Sequence, residues 1–172
     1  LSELLKFNSI ERNSIFSGLL PDEIQNRFPS EWKDMSQNES NLNKYESTFL
    51  KKHLSLSLNG KISDHYEKII EFEHGLRFAE KVKQYKNIDM ISLVVNFIDI
   101  LGHSFTNSKI VKEIIPNDLY YRKEVKNWFE NSWLYNTLLE FKNQKRKIFI
   151  TSDHGVTIIK KPVIVKGVKN TS

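Results

Sequence analysis

The 172 residues suffice for one domain with a real core, removing roughly 70% of the unfolded surface from water. With 39% hydrophobic and 27% charged residues the composition is that of a globular domain, not a disordered segment. No apolar run approaches the ~20 residues of a membrane-crossing helix, and the first turns lack the basic start and apolar stretch of a signal peptide. The net charge of +5 could serve nucleic acid or a polyphosphate, but the chain is rich in Lys, Asn and Ile together, which reads as compositional background. Cysteine is absent, which excludes disulfides and thiolate metal sites and agrees with a cytoplasmic protein. Any metal must then be held by carboxylates and the 5 histidines. The chain opens at Leu1 without an initiator Met and is read as part of a longer protein.

In chain order, Ser9 to Gly18 predicts a short helix with Ile10, Ile15 and Phe16 apolar and Gly18 as its stop. Pro21 restarts the chain, and Asp22, Glu23 and Ile24 open another short helix ending near Pro29. From Ser30 to Ser63 the sequence is polar and Asn/Ser-rich without a sustained period, which suggests an excursion or lid over about 30–63. Asp64 to about Gln84 predicts a helix with an apolar stripe of Tyr66, Ile69, Ile70, Leu76, Phe78 and Val82. Met90 to Ile98 is almost wholly apolar and β-branched, the pattern of a strand covered on both faces.

A helix from about Ser108 to Ile115 stops at Pro116, and a longer one runs from Asp118 to Asn143 with Tyr121, Val125, Trp128, Leu134, Leu138 and Phe141 at helical intervals. The basic run Lys145-Arg146-Lys147 falls at that helix end, where cations complement the macrodipole. Lys147 to Thr151 predicts a second buried strand, and Val156–Ile159 and Val163–Val165 flank Pro162 as edge strands. Strand, helices, strand is the rhythm of an α/β fold with a mostly parallel sheet.

Two polar clusters follow the two predicted central strands, and in open α/β sheets ligands sit beyond the carboxyl ends of strands. Asp99 and His103, four residues apart, share one face if the intervening turn is helical and could grip one cation. Asp153 and His154 are adjacent, and a backbone that turns at Gly155 lets both side chains converge. The competing reading of Asp153-His154-Gly155 is a plain turn, with Asp capping the next backbone group and Gly at positive φ. Zinc accepts both donor types, and a catalytic zinc keeps one position open. His53, His65 and His74 lie away from these strand ends and read as surface or structural residues.

Asn96-Phe97-Ile98-Asp99-Ile100-Leu101-Gly102-His103-Ser104 and Ile150-Thr151-Ser152-Asp153-His154-Gly155 resemble the metal-binding segments of PglZ domains of the alkaline phosphatase superfamily. The run Arg12 to Pro21, the pairs Tyr121-Arg122 and Trp128-Phe129, and Lys161 to Gly167 resemble further segments of one branch, the effector domains of PorX-like two-component response regulators linked to type IX secretion.

The resemblance implies an alkaline-phosphatase-like layered α/β fold, a single domain over 1–172 that is incomplete in this chain. It implies two zinc ions, one held by Asp99 and His103 and the other by Asp153 and His154. It further implies phosphodiesterase-like hydrolysis of a phosphate ester such as a nucleotide or oligonucleotide, in the cytoplasm and without membrane insertion. The partners implied are a sensor kinase or secretion-related proteins, with homodimerisation left open.

Such domains carry another Asp ligand on an earlier strand and a late His, expected before Leu1 and after Ser172. Their nucleophilic Thr falls in register at Asn8, with Lys6 two positions earlier and Ser9 one later. Asn8 is no nucleophile. The alternative is therefore a catalytically inactive module that signals through protein contacts.

Overall fold

Two hydrogen-bonded parallel strands organise the described part of the molecule. The computed structural model describes residues 11–37, 43–58 and 62–155, and leaves aside the side chains of His103, Phe105, Thr106, Asn107 and Lys112. Helices α1 (11–17), α2 (Pro21–Arg27), α3 (Pro29–Gln37) and α4 (Glu46–Ser57) lead into strand β1 (Asp64–Ile69). Helix α5 (Phe72–Lys81) and a 3₁₀ segment (Val82–Asn87) return the chain to β2 (Met90–Val95). Helices α6 (Phe97–Asn107), α7 (Lys109–Ile114), α8 (Asp118–Asn131) and α9 (Trp133–Asn143) follow. The strands pair from Asp64 opposite Met90 to Ile69 opposite Val95. β1, α5 and β2 thus form a βαβ unit, as parallel neighbours require a crossover.

Successive strand residues face opposite sides of the sheet, and each side is covered differently. On one side Ile69 joins Phe78 and Val82 from the crossover and Trp133 and Phe141 from α9, with Ile91, Leu93 and Val95 of β2 packed against them. On the other side Tyr66 meets Phe16 of α1 edge-on, with ring centroids 5.3 Å apart. Behind that contact the N-terminal helices bury a second core of Ile24, Met35 and Phe49, packed with Phe16, Phe28, Trp32 and Tyr45. Helices, sheet and helices make the three layers of an α/β domain.

Local chemistry explains the boundaries. Gly18 ends α1 at φ +66°, where the His53 ring fills the space a Cβ would need. That contact gives His53 its structural role. Asn117 caps α8 by accepting from Leu119 and Tyr120 amides at 3.1 and 3.3 Å. Ser132 breaks the predicted single helix over 118–143 into α8 and α9: its backbone is extended and its hydroxyl caps Leu134 at 3.2 Å. After α9, Arg146 donates to the carbonyls of Tyr85 (2.5 Å) and Lys86 (3.2 Å), fastening the helix end to the 3₁₀ segment. That arginine of the basic run closes the fold.

Several sequence expectations are corrected. The first part of the predicted 64–84 helix is strand β1; its charged residues hid the alternation because both of its faces meet polar partners. Much of the polar stretch over 30–63 is helical, as α3 and α4, with Met35, Phe49, Leu50 and Leu54 buried. β2 ends at Val95, where Asn96 turns the chain into α6, so the strand is shorter than the apolar run. Residues 147–151 are not a buried strand: they join no ladder among the described residues, and Phe149 and Ile150 are 88% and 79% exposed. The edge segments predicted at 156–159 and 163–165, and Lys6, Asn8 and Ser9, lie outside the described residues.

Gly75 provides a test of the α5–α9 packing. A Cβ there would lie 2.0 Å from Trp133 Cε2, and Trp133 is 3% exposed and cannot swing aside. Alanine gains about 1 kcal/mol of helix propensity over glycine, whereas forcing an atom into a packed core costs about 1–3 kcal/mol or more. Gly75→Ala should therefore be net destabilising in urea unfolding, and a stabilised variant would contradict this packing.

Candidate functional site

The first predicted pair lies on α6, directly after β2. Asp99 and His103 both fall within this one helix, so their four-residue spacing puts them on one face. Asp99 is exposed in the first turn, where a carboxylate complements the helix dipole. The His103 ring lies outside the described side chains.

Tyr121 of α8, itself only 9% exposed, braces α6 by donating its hydroxyl to the Ile98 carbonyl at 3.2 Å. Its oxygen would lie 3.7 Å from a Cβ at Gly102. Burial, and after it the nearby Asp99 carboxylate, push the Tyr121 phenol above its ordinary pKa. The phenol therefore stays protonated and donates. Phe97 stacks on Trp128 at 3.9 Å with the rings 5° from parallel, a second tie between α6 and α8. A cleft beside it, at the carboxyl ends of β1 and β2, holds only about 40 Å³, too little for a substrate.

The second pair sits where the chain turns. His154 Nε2 lies 3.7 Å from Asp153 Oδ1, so the two side chains converge as the turn at Gly155 allows. Asp153 Oδ1 also accepts from the His154 amide at 3.1 Å, which is the cap expected of a plain turn. The positive φ expected of that turn is not at Gly155: among the described residues Gly18 is the glycine with one. Among the described residues no three His, Asp or Glu side chains gather closely enough to hold a metal ion.

The other oxygen of Asp153 leads into a charged network that sequence reasoning missed. Asp153 Oδ2 lies 3.9 Å from Arg12 Nε of α1. Arg12 Nε is 2.7 Å from Glu46 Oε1 as an ion pair, while Nη2 donates to Glu46 Oε2 at 3.1 Å. Glu46 is 0% exposed and opens α4. Tyr66 of β1 donates its hydroxyl to Glu46 Oε2, and Lys68 Nζ stands 4.0 Å from the same oxygen.

Burial and then the Glu46 charge drive the Tyr66 phenol far above its ordinary pKa, so it remains a donor. Burial lowers the pKa of Lys68, with Glu46 pulling it back up and Arg12 pushing it down. Arg12 appears in the sequence only within a resembling run, and nothing marks Glu46 in its polar surroundings.

His65 and His74 have structural partners. Both ring Nε2 atoms meet Glu67, at 2.9 and 2.7 Å, on the face of β1 away from Arg12. His65 further stacks on Tyr85 with centroids 4.3 Å apart. They are partnered by a carboxylate, though in mid-strand and remote from the candidate pairs.

The described part is a layered α/β unit with Asp99 and His103 on the helix that follows β2, which is compatible with a domain of the alkaline-phosphatase-like class. The family model described as "BREX system PglZ alkaline phosphatase-like domain" matches residues 2–172, and the chain belongs to this PglZ family. No curated protein matches it. Members of alkaline-phosphatase-like families generally use metal ions and act on phosphate esters. No helix among the described residues is long and apolar enough to cross a membrane.

Glu46 generates the test here. Removing one partner of a buried ion pair strands the remaining charge and costs about 3–5 kcal/mol. Glu46→Ala should lose stability of that order in denaturant unfolding, because Arg12, Lys68 and Tyr66 all lose their shared acceptor. A loss below about 1 kcal/mol, the range of exposed ion pairs, would show that the network is not buried in solution.

Proposed function

We propose that the domain is a zinc-dependent phosphoric ester hydrolase of phosphodiesterase type, with Asp99 and His103 serving one metal ion and Asp153 and His154 the other. The observation that carries this reading is the convergence of Asp153 and His154 in a turn, within a chain of the alkaline-phosphatase-like family. The donors fit: carboxylate oxygens and imidazole nitrogens without thiolates are a set that zinc accepts. Each pair needs further ligands to fill a coordination shell. Bound zinc would neutralise charge on the phosphoryl oxygens and clamp the attacking and leaving oxygens of an in-line displacement.

The chain's own residues have distinct parts in this reading. α6 presents Asp99 and His103 on one face, and Tyr121 and Trp128 hold that helix against α8. The 153–155 turn brings carboxylate and imidazole together, and Arg12 lies against its outer oxygen. What supports an output role in a response regulator, with a nucleotide or oligonucleotide substrate and kinase or secretion partners, is the PorX-like run Arg12 to Pro21. A second reading, a non-catalytic module signalling by protein contact, is favoured by Asn8 in the nucleophile register.

Zinc analysis and turnover separate these readings. Asp153→Ala and His154→Ala in the full-length protein should each lower the zinc content measured by elemental analysis, with hydrolysis of bis(p-nitrophenyl) phosphate falling at least a hundredfold. Unchanged zinc in both variants would remove these residues as ligands. A fully zinc-loaded parent without turnover would favour the signalling module.

A further inference from the structure

Lys68 is the member of the Glu46 network that neither candidate pair uses. It lies on β1 two residues beyond Tyr66, and so on the same face of the sheet, toward α1 and α4. Its Nζ stands 4.0 Å from Glu46 Oε2, too far for a hydrogen bond. That oxygen already accepts from Arg12 Nη2 at 3.1 Å and from the Tyr66 hydroxyl. The two close donors leave the amine outside the network's hydrogen bonds, with no acceptor among the described residues.

We propose that Lys68 is a modification site, a nucleophilic amine at the seam that takes a small acyl group from an acyl phosphate. Lysines are activated by desolvation or by a neighbouring cation, because both favour the neutral amine. Both conditions are met here. Burial lowers the Lys68 pKa; Glu46 pulls it back up and Arg12 pushes it down, and the net shift is downward. Access remains, since the side chain keeps 27% of its surface exposed and Nζ is not an enclosed atom. A small electrophile suits a group that is only partly open.

In the step itself the neutral Nζ attacks the acyl carbonyl carbon. An N–C amide bond forms while the C–O bond to the phosphate group breaks, and the electron pair leaves with inorganic phosphate. The proton lost from nitrogen passes to water. The product has one cation fewer at the seam, with Arg12 as the remaining cation described beside Glu46. Lys44 supplies the contrast. Its side chain is 54% exposed, but its Nζ donates to Asp34 at 3.2 Å, and that bond raises its pKa. It is the more open lysine and the better held as an ammonium.

The experiment exposes folded full-length protein to acetyl phosphate at about pH 8, below the ordinary lysine range, and follows each lysine by mass spectrometry. Lys68 should acetylate about threefold faster than Lys44 or more, despite its lower exposure. In urea-unfolded protein the two rates should agree within about twofold, because the desolvation and the neighbouring cation are gone. Tyr66→Phe frees Glu46 Oε2 to take the Lys68 ammonium and should slow Lys68 about twofold, with Lys44 unchanged. Arg12→Gln removes the opposing cation and should slow Lys68 further where that variant folds.

A folded-state ratio below about threefold overturns the proposal. So does a ratio that survives in urea, which would assign the difference to neighbouring sequence and not to the seam. An unchanged or faster Lys68 rate in folded Tyr66→Phe would also overturn it, because the network would not then set the amine's reactivity. No arm requires turnover or bound zinc, so the hydrolase reading stands or falls on its own measurement.

Discussion

A single carboxylate, Glu46, joins the two halves of the described structure. It is wholly buried, and its partners Arg12, Tyr66 and Lys68 come from the helical layer and from β1. Ions in such a place must be fully paired, because an unpaired buried charge costs more than most single packing contacts contribute. Apolar surfaces can slide over one another at little cost, but this seam cannot: a shift of one residue along β1 would exchange Tyr66 and Lys68 for His65 and Glu67. Glu46 would then face another carboxylate. The polar seam sets the register of α1 and α4 on the sheet.

That register matters because the two candidate pairs are held by different means. Asp99 and His103 ride on α6, a continuous helix that follows β2 and is tied to α8 by Tyr121 and by the Phe97–Trp128 stack. Asp153 and His154 follow an extended, exposed stretch with no ladder among the described residues to hold it. Its described electrostatic tie to the body of the domain is the one to Arg12. The first pair therefore inherits its position from secondary structure, whereas the second sits on a stretch whose described contact with the body is a 3.9 Å approach to Arg12.

The same asymmetry explains what could be read from the sequence. β2 was legible because both its faces are apolar, and α5, α7 and α8 because their stripes repeat at the helical period. The helical spacing of Asp99 and His103 was legible once the apolar run ended, although Asn96 turns the chain earlier than the run suggests. β1 was not legible, since its Asp-His-Tyr-Glu-Lys-Ile pattern is polar on one face to meet Glu46 and Arg12 and partly polar on the other, where Glu67 pairs with His65 and His74. The helices within 30–63 were missed for a related reason: their buried residues are few and Glu46, the most consequential, is charged. The run over 147–151 misled in the opposite sense. Its β-branched, apolar character is a real strand signal, but a strand also needs a partner edge, and none of the described residues supplies one.

Charge shows the limit of composition as a guide to the site. The chain's net +5 says little about where an anion would be drawn. Arg146, in the densest basic run, is spent on the carbonyls of Tyr85 and Lys86, where it closes the fold. The cations around Glu46 are Arg12 and Lys68, which come from separate elements and look unremarkable in sequence. They matter because burial lowers the local dielectric, so each interaction counts for more than the same charge in water. Charges paired at the seam are screened less than those spread over solvated surface, where salt screens exposed charges beyond about 8–10 Å. The buried charges that order the fold therefore depend on where Glu46 sits, not on how many lysines the chain contains.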